Sequence, residues 1–209
     1  MPNRHSAPAS EWNNATMTPS DRQQVLNQLA SSQSRLLAAV ADLTSQQWHF
    51  REDPDRWSIA ENIEHLIHFE SFITQAISNV LEHPAEPEKQ SQAALNHPRV
   101  LSLGSAESRR TQLTAREAVR PTGQWSGPSV LIEEFRRARA RSVAFASQTD
   151  ADLHSHFFPH IAFGDLDCYQ WLLVISLHTG RHILQIQQVQ AHASYPEGNA
   201  IRETPREIS

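Results

Sequence analysis

Residues 166–191 read LDCYQWLLVISLHTGRHILQIQQVQA. The apolar run Leu172 to Leu177, followed by Ile183, Leu184, Ile186 and Val189, gives one long helix, the most buried of the chain. Trp171, Val174, Ile175 and Ile186 form the stripe that faces a helical core. His178 and His182 lie on that stripe, four residues apart. Four residues leave two helical side chains offset by only ~40°, with a rise of ~6 Å. At that spacing two imidazoles can share a metal. The pair taken alone is a weak signal and reads more readily as two packed imidazoles, each with one hydrogen bond satisfied. An interior imidazole needs a partner in either case. Gln185 lies seven after His178 on the same face, where it can support a ligand or touch a substrate.

Upstream, the same periodicity repeats. Ser58 and Glu61 form a capping box, and Ile59, Ile63, Leu66, Ile67, Ile73, Ile77 and Leu81 recur at three and four. A helix over 58–82 follows. Pro19-Ser20-Asp21 opens another, with Ser20 as its N-cap. Val25, Leu29, Leu36, Leu37, Val40 and Leu43 carry it over 20–43. Residues 44–48 read as a short turn, and Asp53-Pro54-Asp55 breaks the chain. Pro128 fits the first turn of a helix over 128–148, whose apolar side is Val130, Leu131, Phe135, Ala138, Val143 and Phe145. On that helix Arg136, Arg137, Arg139 and Arg141 read as a solvated basic face, and Glu133 can pair with Arg137. Between the second and third helices, 83–127 is rich in Pro, Gln and Ser. It reads as a long irregular connection with room for a short helix near 105–112, the kind of crossover some bundles need. Asp165 is the candidate cap of the last helix. No strand-like alternation is apparent. The organisation is an arm (1–18), one helical domain (19–192) and a polar tail (193–209).

Composition narrows the function classes. With 209 residues the chain suits one domain. Its net charge of -5 argues against nucleic acid. Cys168 is the single cysteine, so neither an intrachain disulfide nor a Cys-rich zinc site can form. That usage fits a reducing cytoplasm. No segment resembles a signal peptide, and no run approaches the ~18 apolar residues of a membrane span. Cys168 falls in the first turn of the last helix, as a small core residue or as a thiol acidified by the helix dipole.

The 12 histidines are the unusual feature. His65 leans to the interior in mid-helix, with His68 one turn on as its competitor. Three histidines from two helices would leave a metal with an open position, the pattern of catalytic zinc. His-Glu-x-x-His is absent, and the inverted form would need His where Glu61 stands. His154, His156 and His160 read either as a second metal loop or as a polar rim at the mouth of the bundle.

Trp57-Ser58-Ile59-Ala60-Glu61-Asn62-Ile63-Glu64-His65-Leu66 resembles the second-helix signature of the DinB/YfiT-like superfamily. Phe163-Gly164-Asp165-Leu166 through Trp171, then His178-Thr179-Gly180-Arg181-His182 and Gln185-Ile186, resembles its last-helix signature. The resemblance spans roughly 20–192. It implies an all-α four-helix bundle with a long connection between helices 2 and 3. It also implies a divalent metal (zinc, nickel or iron) held by His65, His178 and His182 at one end, and a homodimer. Characterised members use low-molecular-weight thiols, as S-transferases or as a thiol-dependent isomerase. The family name implies no DNA binding.

Three function classes follow from such a site. A thiol in the open position is deprotonated by the metal, and its thiolate attacks a small electrophile. Arg181 and Gln185 are then the candidate contacts of the thiol cofactor, with Arg181 meeting a cofactor carboxylate or pairing with an acidic side chain. A water in that position, its pKa lowered towards ~7, would make a metal-dependent hydrolase. A fourth protein ligand, His68 or Glu61, would instead close the site and indicate a non-enzymatic, metal-binding or stress-response role.

Overall fold

The computed structural model describes residues 16–105 and 115–198. Four long helices dominate: α1 (Pro19–Ala39), α3 (Ile59–Val80), α5 (Pro128–Gln148) and α6 (Cys168–Gln190). Shorter helices are α2 (Ser45–His49) and α4 (Gln90–Leu101), and a hairpin pairs β1 (Phe157–His160) with β2 (Gly164–Asp167). α1 packs on α5 and α6, and α3 packs on the same two, so the four close a ring. No helix among the described residues is long and apolar enough to cross a membrane.

Each helix start is set by local chemistry. Thr18, not Ser20, caps α1. Its hydroxyl accepts from Asp21 N at 3.1 Å, and the Asp21 carboxylate accepts from Thr18 N at 3.0 Å. Pro19 then sits at the first helical position, where its missing N–H costs nothing. α1 ends at Ala39, short of the expected 43, and Asp42 takes the left-handed region at φ 57°. Thr44 and Gln47 form a second reciprocal cap, so the expected turn is a true helical turn that buries Trp48. Ser58 and Glu61 cap α3 as the sequence predicts.

Three further expectations are corrected. The chain is mostly helical but not all-α, because Phe157–His160 pairs antiparallel with Gly164–Asp167. Gly164 turns the hairpin at φ 73°, a conformation that favours glycine. β2 runs on to Asp167, so α6 starts at Cys168 and its cap is Asp167 instead of Asp165; Asp167 accepts from Gln170 N at 2.6 Å. The segment after α3 is not simply irregular either. It carries α4, whose Ala93, Asn96 and Val100 recur at three and four and are buried. The polar composition and Pro98 hide that stripe. The short helix expected near 105–112 falls largely outside the described residues.

The core forms two apolar sets with a polar layer between them. One set includes Val25, Leu29, Ile73, Ile77 and Leu172; the other includes Leu36, Ile59, Ile63, Phe135 and Ile186. On each long helix a polar residue separates the sets: Ser32, Glu70, Arg139 and Thr179. Arg139 is thus no part of a solvated face; it is 1% exposed. Its guanidinium meets Glu70 at 2.8 Å, Leu29 O at 2.6 Å, Ser32 Oγ at 2.7 Å and Thr179 Oγ1 at 3.0 Å. Full pairing of this kind is the condition under which a charge is tolerated in a core. The expected Glu133–Arg137 pair does form on the exposed side, at 3.2 Å.

Candidate metal centre

Packing of α3 against α6 brings mid-helix residues of each together. His65 and His182 are buried and His178 is half-buried. His65 Nε2 lies 2.9 Å from His178 Nε2, and His182 Nε2 lies 3.1 Å from the same atom. The His-x3-His spacing on α6 and the middle of α3 therefore converge on one point.

Partners of the outer nitrogens decide the tautomers. His65 Nδ1 lies 2.7 Å from the Val119 carbonyl oxygen. A carbonyl only accepts, so Nδ1 carries the proton and Nε2 keeps its lone pair. Asn62 Nδ2 donates to the Ser58 carbonyl at 2.8 Å. That bond turns the amide oxygen towards His182 Nδ1, 2.7 Å away. His182 Nε2 is therefore also a lone pair. His178 can offer at most one proton to these two neighbours, so without a cation one lone pair is left facing another ring nitrogen. A divalent ion bound at ~2.0–2.1 Å by each nitrogen resolves the conflict, and outer-nitrogen bonds of this kind orient metal-binding imidazoles.

The surroundings keep the rings neutral. Burial pushes His65 down to about 4, against the opposing Val119 bond. Burial holds His178 well below the usual range, and competition for protons with His65 and His160 and the charge of Arg181 lower it further. Neutral imidazole is the metal-binding form. Trp57 lies 4.8 Å from the His65 ring, and Phe69 stacks on His178 at 3.9 Å between centroids. Beside His65, the Glu64 carboxylate accepts from Thr122 N, Thr122 Oγ1, Gly123 N and Gln124 N, each at 3.0 Å. Burial alone would raise its pKa, but these bonds outweigh it and hold the carboxyl low. The segment carrying Val119 is thereby fastened to α3.

Among the described residues no fourth carboxylate, thiol or imidazole joins the group. His68 turns instead towards Glu64, 3.5 Å away, and Trp125. Glu61 is occupied by the cap and by Arg51 at 2.5 Å. The three loop histidines are dispersed. His154 faces Asp167 and Asp21; His156 lies against the Asp152 and His83 carbonyls; His160 lines a cavity beside the three imidazoles. Cys168 is buried in the core, and burial pushes its thiol up, opposite to a dipole-acidified thiol.

That cavity is walled by Phe69, Phe72, Val119, Phe158 and Trp171, with Arg116, His160 and Arg181 as its other polar lining. No carboxylate is among its described lining residues. A second, polar groove shares Trp57, Ala115 and Arg181 with it and adds Glu52, Asp55, Arg56, Asn62, Arg120 and Gln185. Arg181 thus borders both spaces, and Gln185 only the groove. Sequence reading overlooked Asn62, although it precedes His65 by three on the same helical face. It could not foresee Val119, which is distant in the chain.

Comparison with known proteins gives three findings. A family model, the DinB superfamily, matches residues 28–186. No curated protein matches the chain. Among solved structures, YfiT from Bacillus subtilis, described as a probable metal-dependent hydrolase with an unusual four-helix bundle topology, is similar. The likeness covers 88% of this chain and 91% of that one, at 14% identity and a TM-score of 0.47.

Proposed function

The chain belongs to the DinB superfamily, and from that premise we propose that it is a metal-dependent S-transferase. In this reading His65, His178 and His182 hold a divalent ion (zinc, nickel or iron), and a low-molecular-weight thiol attacks a small electrophile in the aromatic cavity. The observation that carries the reading is the convergence of three Nε2 atoms, two of them fixed as lone pairs, beside a largely aromatic cavity and with no fourth ligand among the described residues. The ion, when bound, supplies a positive charge that deprotonates a thiol in its open position. Val119 and Asn62 hold the two outer imidazoles in their ligating tautomers. Phe69, Phe72, Phe158 and Trp171 exclude water from the nucleophile and bury the electrophile. Arg181 and Gln185 receive the polar body of the thiol in the adjoining groove, which Arg181 shares with the cavity.

A hydrolase at the same centre is the weaker reading. It places a water in the open position instead of a thiol, and turnover of an ester or amide without any thiol would favour it. A purely structural ion is usually closed by four protein ligands, and here His68 and Glu61 are engaged elsewhere.

Elemental analysis of untagged protein beside the His178→Ala variant tests the centre. About one metal per chain, lost in the variant, is expected. Conjugation of chlorodinitrobenzene with bacillithiol, mycothiol or glutathione, abolished by chelation, tests the chemistry. Metal-loaded protein inactive with all three thiols across several electrophiles would sink the transferase reading.

A further inference from the structure

His160 is the one histidine of the 154–160 loop that reaches the cavity. It ends β1, paired with Gly164 across the hairpin. Ala162 N donates to His160 Nδ1 at 3.1 Å. An N–H needs a lone pair, so Nδ1 is the acceptor and the neutral ring carries its proton on Nε2. The ring is clamped in place: it stacks on Phe163 at 4.5 Å and lies 5.2 Å from Trp171. Its Nε2 has no hydrogen-bond partner among the described residues. The cavity it lines is walled mainly by Phe69, Phe72, Ile73, Phe158 and Trp171, with Arg116 and Arg181 as its charged residues. A rigid N–H donor in such a wall selects a ligand that brings an acceptor, because leaving the donor unpaired in a filled cavity carries the desolvation cost.

We infer that His160 Nε2–H is a specificity-determining donor of this cavity, and that the molecule bound there is ring-bearing and places an acceptor oxygen opposite it. The inference rests on the cavity being the substrate chamber proposed above. Burial, with Arg116 adding its charge, pushes His160 down to about 4, so near neutrality it offers a neutral donor and not a cation. A carbonyl or ether oxygen suits such a donor. The aromatic walls suit a flat hydrocarbon body by offset or edge-to-face contact.

Two isosteric probes, acetophenone and α-methylstyrene, differ in having a carbonyl oxygen or a methylene. Their binding is followed by the shift of the Trp171 indole N–H signal in wild type, His160→Phe and His160→Gln. Wild type should hold acetophenone about fivefold to tenfold more tightly, the net contribution of one hydrogen bond. The preference should vanish in His160→Phe and persist in His160→Gln, whose amide still donates. Equal affinities in wild type, or an unchanged preference in His160→Phe, overturn the inference. Nitrogen shifts of His160 in wild type give a check that needs no variant, since a proton found on Nδ1 also overturns it. Metal content is measured on the same samples. Full metal with no acceptor preference removes this inference alone, whereas an acceptor preference without any metal binding removes the transferase reading and leaves this one standing.

Discussion

Asn62 determines which nitrogen of His182 faces a cation. Its amide is fixed from one side by the Ser58 carbonyl and presents its oxygen to His182 Nδ1 from the other. Replacing it with leucine removes the acceptor and lets the proton move to Nε2, where it blocks ligation. We expect Asn62→Leu to weaken metal affinity by about 10–100-fold with helix content unchanged, measured by competition against a chromogenic chelator beside circular dichroism. Wild-type affinity in the variant would show that the amide has no part in the centre. At this scale the sequence was partly legible. The spacing of His178 and His182 follows from helical geometry alone, and the interior lean of His65 sets it ahead of His68. Asn62 and Val119 were not read, because what they do depends on a neighbour that no local pattern names.

At the scale of elements, His154 joins three pieces. It lies 3.7 Å from Asp21 at the start of α1 and 3.4 Å from Asp167, the cap of α6, in the approach to β1. Burial opposes its protonation, but Asp167, Asp21 and Asp152 outweigh that and hold its pKa above the ordinary value. A raised folded value means that the charged ring stabilises the fold. That contribution is complete below the unfolded value of about 6.5 and is lost as pH rises through the folded value. The Tm advantage of wild type over His154→Gln should therefore be largest in mild acid and shrink as pH rises past the folded value. Thermal melts across a pH series check this, and a difference that grows with pH contradicts it. Cap boxes made the helix starts readable at Ser58. At Asp165 the same logic misfired by two residues, since pairing with 157–160 carries the strand on to Asp167. α4 shows the opposite failure, a three-and-four stripe too short and too polar to stand out.

For the whole molecule, one guanidinium holds the long helices together. Arg139 of α5 touches Leu29 and Ser32 of α1, Glu70 of α3 and Thr179 of α6, next to His178. Arg139→Leu leaves the Glu70 carboxylate buried without its partner and should cost about 3–5 kcal/mol in urea unfolding. The double variant Glu70→Leu, Arg139→Leu should recover most of that stability, because two apolar side chains leave no charge uncompensated. A single variant as stable as wild type would refute this account. The sequence by itself determined the four long helices, the cap of α3 at Ser58, the start of α5 at Pro128 and the family signature, since periodicity and capping act over a few residues. Only the tertiary structure decided that Arg139 is core and not surface, that His160 alone of its loop faces the cavity, and that Val119 selects the tautomer of His65. Burial, pairing and proton position depend on which distant segments meet, and a one-dimensional pattern does not encode that meeting locally.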